Sequence, residues 1–106
     1  MSQAGYATLA DAIEELIRRG FTEQFEVVDG ALRALESGKT FRAEELRIRE
    51  YHRFEGVSDP DDMSIVYAIE SHTGTRGTLV DAFGVYSNPV VSAFLTDVPI
   101  DRTAVA

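Results

Sequence analysis

An α+β domain with a largely antiparallel sheet is what this sequence predicts, and three observations carry that reading. A helix-like segment stands near each end, at Thr8–Gly20 and from Asn88 onward. Between them lie extended, apolar-rich segments with the period of strands. Turn signals separate those segments: Asp29-Gly30, Ser37-Gly38-Lys39, Asp59-Pro60 and Thr73-Gly74. The expected architecture is one domain over residues 1–106, with about 1–6 and 102–106 loose. Its sheet has about four or five strands, and the N-terminal and C-terminal helices cover one sheet face.

The first helix is capped by Thr8, with Asp11 three residues on as a weak capping box. Leu9, Ile13, Leu16 and Ile17 form its apolar face; Gly20 follows Arg18 and Arg19 as the stop. Gln24–Asp29 reads as a strand turned by Asp29-Gly30. Ala31–Glu36 is open between a short helix and a strand, and the conformation of 30–45 stays undecided. Ala43–Leu46 suits one helical turn.

Three extended segments follow: Leu46–Glu55, Met63–His72 and Thr78–Tyr86. The first alternates Leu46, Ile48, Glu50, His52 and Phe54 against Arg47, Arg49, Tyr51, Arg53 and Glu55. A tight turn centred on Gly74 and Thr75 joins the other two. That register pairs Ile69 with Val80, Tyr67 with Ala82, Ile65 with Gly84 and Met63 with Tyr86, an apolar face expected to be core. Pro89, with Asn88 as cap, opens the last helix, whose apolar face is Val90, Val91, Phe94 and Leu95. Pro99 ends it.

Composition narrows the function classes. Eighteen acids against ten Lys plus Arg give a net charge of −8. Such a field repels phosphate backbones and anionic bilayers, so neither nucleic acid nor membrane is expected as a partner. With no cysteine there is no disulfide framework, thiolate metal site or thiol nucleophile, which permits a reducing cytoplasm. Neither a signal peptide nor a bilayer-spanning run is expected.

Four carboxylates, Glu55, Asp59, Asp61 and Asp62, crowd the link between two strands. Asp59 and Asp61 match the first and third positions of a calcium loop, and Glu70 the twelfth. Ser64, however, stands where glycine is needed, and the next residues form a strand. Asp59-Pro60-Asp61 suits a type I turn better, so the four acids are only weak metal candidates and no cofactor is expected. Glu70–Thr78 echoes a phosphoribosyl-pyrophosphate loop: an apolar strand, then Thr75-Arg76-Gly77-Thr78. The paired acids of that loop are replaced by Glu70-Ser71, and Leu79–Phe83 continues as a strand where the loop needs a helix. A hairpin turn is the better reading. His52 and His72 have no second histidine at ligand spacing and read as structural.

Asp81 stands mid-strand between Leu79 and Phe83, and a carboxylate among apolar neighbours needs a partner. An ion pair with Arg53 or Arg49 is expected. The same sheet face would carry a ligand or partner surface of Tyr51, Arg53, Val66, Asp81 and Phe83.

The stretches "RRGF", "YHRFEGVSDPDDMSIVYAI", "GTLVDAFGVY" and "PIDR" resemble a family of short bacterial proteins common in the Bacteroidetes and their relatives. Some members carry the name phosphoribosylpyrophosphate synthetase. The resemblance covers most of the chain. It implies a shared fold and carries over no catalytic residue. The function expected is a cytoplasmic binding or interaction module that self-associates. The alternative is a Mg²⁺-dependent ribose-phosphate or phosphate-ester enzyme using Glu55, Asp59, Asp61, Asp62 and Asp81.

Overall fold

The first helix, α1 (Leu9–Arg18), begins as its sequence requires. The Thr8 hydroxyl accepts the Asp11 amide at 3.1 Å. It ends at Gly20, whose φ of +104° lets its amide donate to the Ile17 carbonyl while Phe21 donates to Leu16. That pair of bonds satisfies the last carbonyls of the helix. The computed structural model describes residues 8–54, 64–82 and 88–101, and within them six strands follow α1. They are β1 (Glu23–Val28), β2 (Ala31–Ala34), β3 (Thr40–Phe41), β4 (Leu46–Phe54), β5 (Ser64–Ser71) and β6 (Arg76–Ala82). A 3₁₀ turn, Ala43–Glu45, leads into β4, and α2 (Pro89–Thr96) closes the order.

All six strands join one sheet in the order β3-β2-β1-β6-β5-β4. Both helices, the strands β1, β4, β5 and β6 and the helical turn before β4 are as expected; β2 and β3 raise the strand count above the four or five foreseen. Ala31–Ala34 becomes a strand because Asp29 (φ 52°) and Gly30 (φ 75°) form a two-residue turn that folds it onto β1. Every pairing is antiparallel except β1 with β6, where Glu23 faces Gly77 and Gln24 faces Thr78.

The sheet is strongly curled. Its two outer strands, β3 and β4, are joined by only the residues between Phe41 and Leu46. Such a link spans about 18 Å at most, whereas a flat six-stranded sheet is about 24 Å wide. Curling brings residues of all six strands into one inner core: Phe25, Leu32, Ala34, Phe41, Leu46, Ile48, Ile69 and Leu79. Val91 and Phe94 of α2, with Val98 beyond it, cover that inner face. Val90, expected on the apolar face of α2, is instead exposed.

The helices do not share a face. Val66 and Ala68 of β5 point outward and pack under Ala12 and Leu16 of α1, while Ile69, one residue on, points inward toward α2. Val66, Ala68 and Ile69 are fully buried, and Ile65 is nearly so. The physical reason is in the run Ile65–Ile69: a strand apolar on both faces needs cover on both. Each fully buried Leu, Ile or Val contributes about 1.5–3 kcal/mol to this two-sided core.

Two further expectations change. The β5–β6 hairpin is not a two-residue turn on Gly74 and Thr75. The Ser71 carbonyl accepts the Gly74 amide, Gly74 takes φ +94°, and the Ser71 amide donates to the Thr75 carbonyl. This is a type I turn closed by a left-handed glycine, reinforced by the Ser71 hydroxyl, which accepts the Thr75 amide at 3.1 Å. Ile69 therefore pairs with Gly77, Tyr67 with Leu79 and Ile65 with Asp81, three residues away from the expected register. An odd shift exchanges the faces of β6, so Leu79 is core and Val80 is exposed. In β4 the alternation breaks between Ile48 and Glu50, where a bulge leaves Arg49 as the extra residue. Beyond it Tyr51 and Arg53 share the inner face with Ile48, and His52 shares the outer face with Val66.

Candidate functional site

Three of the five residues expected to form a ligand or partner face do come together. Tyr51 and Arg53 of β4 face Tyr67 and Ile65 of β5, which face Leu79 and Asp81 of β6. The Tyr51 and Tyr67 rings lie 6.2 Å apart, tilted by 43°. The Arg53 guanidinium stands 5.9 Å from the Tyr51 ring centre, within cation–π range. Burial pushes the Tyr67 phenol above its ordinary pKa; the nearby Asp81 carboxylate adds to that, and Arg53 partly opposes it. The result is one half-buried end of the inner face carrying two phenols, a guanidinium and a carboxylate.

The other two residues do not join them. Val66 lies on the outer face, fully buried under α1. Phe83 falls outside the described residues, as do the weak metal candidates Glu55, Asp59, Asp61 and Asp62. Tyr67 takes the place of Val66, a consequence of the register shift. Asp81 is not paired with Arg49, which reaches Glu70 and Asp101 instead. The Asp81 carboxylate accepts the Ala82 amide at 2.8 Å and the Asn88 amide at 3.3 Å. It thereby ties the end of β6 to the start of α2, where the Asn88 side chain accepts the Val90 amide at 2.9 Å.

The outer face holds a second polar concentration that the sequence did not disclose. Arg19, just past α1, meets Glu50 through two bonds of 2.6 and 3.0 Å. His52 contacts the same carboxylate through Nε2 at 2.9 Å. Burial raises the Glu50 carboxyl, but the bonds from Arg19 and His52 outweigh it and hold its pKa below the ordinary value. Glu70 behaves alike: burial raises it, and Arg49 and Arg76 bring it below. Arg76 and Arg19 also stack near the Phe21 ring, at 5.6 and 6.0 Å. Two grooves adjoin here. One of about 410 Å³ is lined by Arg47, Arg49, Glu70, Ser71 and His72. The other, about 260 Å³, is lined by Arg19, Phe21, Arg49, Glu50 and Arg76.

Glu70–Thr78 is a hairpin, as its turn chemistry indicated. His52 is buried and held by Glu50, a structural placement, whereas His72 is exposed at the turn with its amide on the Glu45 carbonyl. Among the described residues, no three His, Cys, Asp or Glu side chains group closely enough to hold a metal ion. No helix among them is long and apolar enough to cross a membrane. Comparison with protein-family models, curated proteins and solved structures gives no match to this chain.

Proposed function

We propose that this protein is a cytoplasmic interaction module that self-associates through the outer edge of β4. One observation carries the reading. β4 is an edge strand, and among the described residues it has an outer neighbour only at Ile48. There the Ile48 amide donates to the Pro99 carbonyl and the Asp101 amide to Ile48. From Glu50 to Phe54 the edge has no outer strand among the described residues, and an open edge is a template for a further strand.

The residues along that edge favour a second copy of this chain as the added strand. An antiparallel two-fold pairing centred on His52 sets Tyr51 of one copy opposite Arg53 of the other, on the same face. It repeats between chains the guanidinium–ring stacking present within one chain. Tyr67 and Asp81 would floor this joint from the neighbouring strands.

Sedimentation velocity over a concentration series tests the reading. The expected result is a concentration-dependent dimer that Arg53→Glu weakens by about tenfold or more, while Val90→Asp on exposed α2 leaves it unchanged. A wild-type chain that stays monomeric at about 500 µM, a range where even weak specific dimers form, would refute it. So would an Arg53→Glu variant that dimerises like wild type.

A further inference from the structure

The strap from Pro99 to Asp101 closes the outer edge of β4 at one residue. The Ile48 amide donates to the Pro99 carbonyl and the Asp101 amide to the Ile48 carbonyl, both at 2.8 Å. The Arg49 guanidinium meets the Asp101 carboxylate at 3.1 Å.

Those bonds fix which backbone groups of β4 face outward. In an antiparallel ladder the groups alternate between the two sides of a strand. Because Ile48 bonds outward, its partner Ile69 bonds away from β4, and so does every second residue of β5 from it. The partners of Ser71, Ile69, Tyr67 and Ile65 are Leu46, Ile48, Tyr51 and Arg53. Those four residues therefore point their amides and carbonyls outward, and the Arg49 bulge lies between the second and the third.

This spacing is its own complement. A two-fold pairing about the midpoint between Arg49 and Glu50 sets Leu46 opposite Arg53 and Ile48 opposite Tyr51, each twice. It also sets Arg49 opposite Glu50 of the other copy, in place of Asp101. The pairing centred on His52 matches only Tyr51 with Arg53, twice. There the other copy's β4 ends at Phe54, opposite Glu50, and Ile48 stays with the strap. The full pairing needs the Ile48 groups that the strap holds.

Given self-association at this edge, the reading on which it rests, we propose that the Pro99–Asp101 strap is a register switch. Docked, it admits only the short pairing centred on His52. Displaced, it releases the full-length pairing of one β4 with another. Release forfeits the two Ile48 bonds and the Arg49–Asp101 pair of each chain. The full pairing restores the Ile48 bonds, adds those of Leu46 and gives Arg49 a new carboxylate.

Cross-linking tests the switch, because the chain has no cysteine and His52→Cys supplies a single thiol. In the short pairing the two positions 52 face each other with Cα atoms about 4.5 Å apart, within disulfide reach. In the full pairing position 52 faces Arg47, and the two thiols are about 16 Å apart along the strands. Asp101→Pro removes both the amide on Ile48 and the partner of Arg49. His52→Cys alone is expected to give a disulfide-linked dimer under mild oxidation. Adding Asp101→Pro should lower that cross-linking about tenfold, while sedimentation of Asp101→Pro alone shows a dimer about tenfold tighter, the worth of one or two added hydrogen bonds. Asp101→Ala keeps the amide and loses the Arg49 pair; it should show both changes at smaller size, and it decides the matter if the proline variant does not fold. An Asp101 variant that dimerises no more tightly than wild type, or that cross-links through His52→Cys as readily as the intact strap allows, overturns the switch and leaves the dimer standing. A wild-type chain that stays monomeric overturns both.

Discussion

Replacing Gly77 with alanine should unfold this protein more readily than any propensity scale suggests. Gly77 sits at the parallel joint between β1 and β6, opposite Glu23. A Cβ at 77 would lie 2.4 Å from the Glu23 carbonyl oxygen, 2.7 Å from its Cβ and 2.8 Å from its carbonyl carbon. Ordinary contact begins at 3.4 Å, so the two strands must part by about 1 Å. Two of the three atoms are backbone, and side-chain rotation cannot relieve them. The joint consists of two register pairs, Glu23↔Gly77 and Gln24↔Thr78, so opening one strains the other. Overpacking of this kind costs about 3 kcal/mol, the upper end of the usual range. For a chain of this size that lowers the melting temperature by roughly 12–15 °C. Propensity alone gives the opposite sign, since alanine is favoured over glycine within a strand by about 0.5–1 kcal/mol. Thermal melts followed by circular dichroism decide between them. Gly30→Ala is the control: nothing stands within 4 Å of its Cβ position, and its positive φ costs only about 1–2 kcal/mol. A Gly77→Ala protein that melts at or above wild type, or no lower than Gly30→Ala, would sink the account of the joint.

Glu50 and Glu70 are held below their ordinary pKa of 4.5 in the folded state. Their contribution is therefore complete above that value and is lost as pH falls from it through the folded values. Melting temperature should drop across that acid range, and Glu50→Gln should flatten the drop. Tyr67 is shifted the other way, above 10.0. The fold favours its neutral phenol, so that contribution is present below pH 10.0 and lost as pH rises through the raised value. Absorbance titration near 295 nm should show one late-ionising phenol, absent in Tyr67→Phe and earlier in Asp81→Asn; a Tyr67→Phe curve with that late step intact would contradict the placement. Leu16→Ala removes a fully buried side chain from under α1 and should cost about 2–5 kcal/mol by urea denaturation. A cost below about 1 kcal/mol would mean that α1 is not docked on the outer face.

The helices were legible because their signals are local. Thr8, Gly20, Asn88 and Pro89 mark the boundaries through bonds made within a few residues. The long strands were legible from their apolar content. The arrangement between elements was less so, for identifiable reasons. The hairpin register turned on whether Ser71 closes the turn with its backbone and hydroxyl, and Gly74 serves a two-residue or a three-residue loop equally well. The Arg49 bulge left no mark in an alternating pattern that continues across it. An expectation of both helices on one face overlooks Ile65–Ile69, apolar at every position, a run that calls for cover on both sides. From these followed the fate of the candidate face: Tyr51, Arg53 and Asp81 met, Val66 was turned away, and Tyr67 entered unforeseen. The outer-face arginines were hidden because Arg19, Arg47, Arg49 and Arg76 come from two separate strands and the end of a helix.

The strand order also divides the work of folding. β1, β2 and β3 are consecutive in the chain and neighbours in the sheet, and so are β4, β5 and β6. Within each half every pairing joins strands adjacent in the chain, so its loop-closure cost is small. The β1–β6 joint links residues about fifty positions apart, with a larger loop-closure cost. Among the described strand pairings the whole cost of bringing distant chain together thus falls on four residues, and Gly77 is where their backbones come too close for any side chain.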